Sequence, residues 1–192
     1  MIRALYNWTM SLANHPKALW ALAIVSFAES SFFPIPPDVL MIPMIIASPR
    51  KAFVIAGVAT ASSVLGALFG YYIGWGLFES VGQPVLDFYG KGAAFDEFAA
   101  RYNDLGAWVV LVAGISPLPF KVITIASGAT GLSVPIFVIS ALIARAFRFF
   151  IVAGLLWAFG APIRDFIERR LGLVFTVFCV ILVGGFAALR YL

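Results

Sequence analysis

Apolar residues run through the chain in long blocks, and the polar positions between them mark where it must turn. Residues 1–17 mix the two types, as in a short interfacial helix anchored by Tyr6 and Trp8. The apolar block from Ala18 to Ala47 is long enough to span a bilayer, but its centre reads AESSFFPIPPDVLMIP. Pro34, Pro36 and Pro37 remove backbone donors and clash with a continuous helix. Broken backbone at membrane depth has to be buried in protein or line a wet cavity. The pattern therefore predicts a re-entrant hairpin over 18–47, built from half-helices at 18–31 and 38–47. After a basic loop at Pro49, Arg50 and Lys51, residues 52–78 read as a continuous transmembrane helix. Residues 79–104 set Glu79, Asp87, Asp96, Glu97 and Asp104 against only Lys91 and Arg101, among aromatics in an amphipathic pattern. This predicts an amphipathic external segment. Residues 105–133 repeat the broken pattern at Pro117 and Pro119 and return through Gly128 and Gly131, a second re-entrant hairpin. Residues 134–160 and 171–189 are two further transmembrane helices, separated by a polar, basic stretch.

Composition agrees with this pattern. Of 192 residues, 62% are hydrophobic and 11% charged, with a mean hydropathy of +1.02. A soluble domain has about 45–50% apolar and about 25% charged residues. The expected class is an all-α polytopic membrane protein, one integral domain over residues 1–192, with two inverted re-entrant helical hairpins packed among continuous helices. The formal charge of +4 is scattered, with no basic stripe to follow a nucleic acid. Placing Arg3, Lys17, Arg50 and Lys51 in the cytoplasm puts the acidic 79–104 stretch outside, as the positive-inside rule prefers. The N-terminus lacks a small-residue cleavage pattern and reads as a retained segment. One cysteine, Cys179, and one histidine, His15, allow no internal disulfide and no multi-ligand cysteine or histidine metal site. No metal or cofactor is expected. A nucleophile elbow, a P-loop and a dinucleotide fingerprint are all missing, so no enzyme activity is expected.

Five charges stand in apolar sequence: Glu29, Asp38, Lys121, Arg145 and Arg148. Each is costly in hydrocarbon unless paired, hydrated or snorkelling. They are the candidate substrate- and proton-binding residues. A re-entrant turn brings Glu29 and Asp38 together, where two carboxylates raise one another's proton affinity. Lys121, Arg145 and Arg148 then hold an anionic headgroup. The structural alternative is that each carboxylate pairs with an arginine and locks the bundle, with Arg148 reaching a surface. Ser30, Ser31 and Ser116 serve either as headgroup donors or as caps. Gly66, Gly70 and Gly74 recur every four residues, with Ser62 one turn earlier, on a face suited to close packing within the chain or in a homodimer.

Together these residues resemble the DedA family of SNARE-associated or VTT-domain membrane proteins, in its shorter YqaA-like bacterial branch. The resemblance covers residues 18–160. It rests on Glu29 with FFPIPPD ending at Asp38, the Gly66, Gly70, Tyr71, Gly74 cluster, SPLPFK ending at Lys121, IASG ending at Gly128, and Arg145. It implies two opposed re-entrant hairpins in the bacterial inner membrane and transport or scrambling of an anionic lipid such as undecaprenyl phosphate, with proton coupling. Glu29 and Asp38 match the family's acidic pair. Lys121 matches the later arginine of the second motif; the earlier arginine is missing, where the chain reads Ala113, Gly114, Ile115. Two alternatives remain: a proton-coupled antiporter of a small ion or solute, and a non-transporting scaffold in envelope maintenance.

Overall fold

The structure, a computed structural model, describes residues 17–32, 36–116 and 119–169. The expected helix at 171–189 and interfacial helix at 1–16, with His15, Cys179, Pro34 and Pro117, lie outside those residues.

Two short helices, α1 (Ala18–Ser31) and α2 (Asp38–Ala47), flank the first proline cluster. At 14 and 10 residues they extend about 21 and 15 Å, short of a hydrocarbon core of about 30 Å. A 3₁₀ turn at Pro49–Lys51 leads into α3 (Ala52–Leu77), whose 26 residues extend about 39 Å. A π-helical turn at Phe78–Gly82 joins α3 to α4 (Gln83–Phe88), and Gly90 then turns the chain with φ 63° into α5 (Gly92–Asp104). The stretch expected as one amphipathic segment is thus the end of the long helix followed by two shorter ones. Two 10-residue helices, α6 (Gly106–Ile115) and α7 (Phe120–Ala129), flank the second break, and α8 runs from Val134 to Arg169. It continues past the expected end at residue 160, with a kink at Phe159. The kink lies one turn ahead of Pro162, which cannot donate its backbone bond. Two helical stretches, Pro49–Phe88 and Val134–Gly160, are long and apolar enough to cross a membrane.

The packing follows a crossed pattern. Each first short helix lies on the long helix of its own half, α1 on α3 and α6 on α8. Each second short helix lies on the long helix of the other half, α7 on α3 and α2 on α8. This pattern joins the two proline-broken segments through the central α3–α8 contact.

Glycine makes the approaches close enough. A β-carbon at Gly66 would overlap the Phe27 carbonyl of α1, and one at Gly74 the Ile125 carbonyl of α7. Gly70 faces the Thr124 hydroxyl, and Gly128 faces the Tyr71 carbonyl from the opposite side. The glycine row is therefore packed from within the chain, by α1 and α7.

Candidate functional site

Arg145 lies on the inner face of α8 and is fully buried. Its guanidinium lies over two rings, 4.9 Å from the centre of Phe120 and 4.8 Å from the centre of Phe149. In the guanidinium plane, Nε donates to Ser63 Oγ at 2.6 Å, and Nη2 donates to Glu29 Oε2 and to Ser30 Oγ at 3.3 Å. Ser30 donates its one proton to Glu29 Oε2 at 3.1 Å, so Ser63 donates across the 2.7 Å contact to Ser30. The bonds close a ring from Arg145 through Ser63, Ser30 and Glu29 back to Arg145. A buried charge needs an opposite charge and hydrogen-bond partners of this kind to be tolerated. Arg145 Nη1 and Ser26 Oγ have no hydrogen-bond partner among the described residues.

One turn along α8, Arg148 Nη2 donates to Asp38 Oδ2 at 2.7 Å. Asp38 opens α2, where the helix dipole favours negative charge. This second pair is more open than the first: its side chains are 21% and 18% exposed, against 0% and 12% for Arg145 and Glu29. Phe149 also lies under Arg148, 5.9 Å from its ring centre, so one aromatic contacts both guanidinium groups.

Each carboxylate has an arginine partner, the pairing that the sequence offered as the structural alternative. Glu29, from α1 on the face of α3, reaches Arg145, and Asp38, from α2 on α8 itself, reaches Arg148. Lys121 lies in the first turn of α7, beside Phe120, and makes no ion pair among the described residues. Its backbone is nonetheless tied to the site. The Thr124 hydroxyl lies 2.8 Å from the Lys121 carbonyl and 3.0 Å from the Ser30 carbonyl, linking the two broken segments. Ser31 bonds the Phe27 carbonyl of its own helix, and Ser116 the Ala113 carbonyl at 3.0 Å. In these bonds both hydroxyls turn back to carbonyls of the preceding helical turn and do not cap a helix N-terminus. Ser62 was read as extending the glycine packing face; it is its neighbour Ser63 that is buried and bonded to Arg145. Phe120 and Phe149 were also missed, because nothing in a single sequence distinguishes a guanidinium-stacking ring from core filler.

Beside Arg148, Ile115, Phe147, Ile151 and Val152 complete an open groove of about 300 Å³ between the end of α6 and α8. At the far end of the molecule, Tyr102 of α5 contacts Ser127 Oγ at 2.9 Å, and Asn103 donates to the Thr130 carbonyl at 2.8 Å. The amphipathic helix is thereby fastened to the C-terminal end of α7. Burial pushes the Tyr102 phenol above its ordinary pKa, partly offset by the bond to Ser127.

A VTT-domain family profile matches residues 35–158, from just before Asp38 to past the α8 arginines. An uncharacterized protein from Haemophilus influenzae is 38% identical over 168 residues, covering 85% of this chain and 87% of the relative. An uncharacterized homologue from Histophilus somni is 39% identical over 168 residues, with the same coverage. No solved structure matches the chain. The apolar composition, the two long apolar helices, and the profile running from the first proline break through the arginine pair agree: the chain belongs to the VTT-domain family of membrane proteins.

Proposed function

We propose that this protein moves an anionic lipid across the bacterial inner membrane, as a multi-pass transporter and not as an enzyme. In this reading the α1–α2 and α6–α7 segments are re-entrant hairpins entering from opposite sides, and polyprenyl phosphate is the leading substrate. One observation carries the reading. The charges at the two breaks comprise three cations and two carboxylates, and both carboxylates are engaged by Arg145 and Arg148. Lys121 is left as excess positive charge in apolar sequence, in the first turn of α7, where the helix dipole already disfavours a cation. An anionic headgroup would satisfy both the ammonium and the helix N-terminus. Protons exchanging at Glu29 or Asp38 would loosen the arginine bonds and couple headgroup passage to a pH gradient.

Lys121→Gln tests this reading cleanly, since it breaks no ion pair. In proteoliposomes with labelled polyprenyl phosphate, the variant should melt like the parent and lose transport. A transport rate equal to that of the parent removes Lys121 from the mechanism. The two completed ion pairs favour a second reading, a non-transporting scaffold, which predicts no lipid movement by either protein.

A further inference from the structure

The groove beside Arg148 combines one guanidinium with four apolar side chains. Ile115, Phe147 and Ile151 are each about half exposed although apolar, so the groove opens laterally. A free phosphate would satisfy the guanidinium and leave those side chains uncovered. A neutral chain would cover them and leave the charge unused. An amphiphile with an anionic head matches both. The volume of about 300 Å³ is at the small end of ligand pockets. It holds roughly ten groups the size of a water or methylene, enough for the stretch of one chain nearest its head.

The neighbouring ion pair gives this groove a gate. Arg145 is locked in a closed ring of bonds, whereas Arg148 has one carboxylate partner and both members are partly exposed. An incoming phosphate monoester presents more acceptor oxygens than Asp38 and can take its place on Arg148. We propose that the α6–α8 groove is the lateral docking site of the transported lipid, whose anionic head exchanges with Asp38 on Arg148 while its first chain segment lies over Ile115, Phe147, Ile151 and Val152. This rests on the anionic-lipid reading above and adds the entry site and the displaced residue. Asp38 is then an internal competitor, holding Arg148 when no headgroup is present.

The test uses the full chain in phosphatidylcholine vesicles, with photoreactive benzoylphenylalanine replacing Phe147. One set of vesicles contains polyprenyl phosphate and the other the corresponding neutral polyprenol. Crosslinking should favour the phosphate lipid by about tenfold, the effect of one charge-assisted hydrogen bond. Asp38→Asn should increase capture of the phosphate lipid by removing the competitor. Asp38→Asn combined with Arg148→Gln removes both charges together and should lower capture to the polyprenol level. Equal capture of the two lipids, or capture of the chain's own 171–189 segment in place of lipid, overturns the proposal. Transport that persists with equal capture overturns the groove alone, whereas no transport by the parent protein overturns the reading beneath it.

Discussion

Replacing Glu29 by Gln keeps the size of the side chain and removes its charge. Arg145 is fully buried and lies over two rings, and its other acceptors are the neutral hydroxyls of Ser63 and Ser30. The substitution therefore leaves an uncompensated guanidinium in an apolar site. Breaking a buried pair from one side costs about 3–5 kcal/mol. For a chain of this size each kcal/mol shifts the melting temperature by about 2–4 °C, so the loss should be about 6–20 °C. Adding Arg145→Met restores balance: the thioether fills the space beside Phe120 and Phe149, and Ser30 and Ser63 still bond each other. Most of the lost stability should return, as it often does when a buried pair is replaced by apolar groups. Asp38→Asn, in the more exposed pair, should cost only about 1 kcal/mol. Thermal unfolding of the purified proteins in a mild detergent measures all four. A Glu29→Gln variant that melts with the parent, or a double variant less stable than the single one, would refute the closed ring as the support of Arg145.

Three further outcomes are expected. Gly66→Ala should be destabilising by about 1–3 kcal/mol despite alanine's better helix propensity, because its β-carbon meets the Phe27 backbone. Gly57→Ala in the same helix meets nothing within 4 Å and should gain about 0.5–1 kcal/mol, so the two melting shifts should have opposite signs. Tyr102 holds its proton more firmly when folded, so its contribution is present below the unfolded tyrosine pKa of about 10 and lost as pH rises through the folded value; in Tyr102→Phe that part of the alkaline decline in stability should disappear.

The breaks in the fold were legible because clustered prolines act locally: Pro36, Pro37 and Pro119 stand just before α2 and α7, which begin at Asp38 and Phe120, although the single Pro43 is carried inside α2. The long α3 was legible from its uninterrupted apolar run. The partners of the charges were legible only as one alternative, a carboxylate paired with an arginine, without saying which arginine. Glu29 and Asp38 are nine residues apart, and pattern alone suggested that one turn would bring them together. Their ion-pair partners are Arg145 and Arg148, more than a hundred residues away, and that choice depends on how α1 packs on α3 and α2 on α8. The spacing of the arginines did carry part of the answer, since two residues three apart share a helix face and receive two carboxylates in series. Ser63 was hidden by its neighbour: the period of four through the glycines points to Ser62, while the rotation of α3 against α8 brings Ser63 to Arg145.

The central claim is that a site with more cations than carboxylates moves an anionic lipid head through the bilayer. Its most direct test is the transbilayer movement of labelled polyprenyl phosphate in proteoliposomes of the parent protein, measured beside a labelled neutral polyprenol and protein-free vesicles. The account predicts that the protein accelerates the phosphate lipid and leaves the polyprenol at its protein-free rate. Equal rates for the phosphate lipid with and without protein would contradict it.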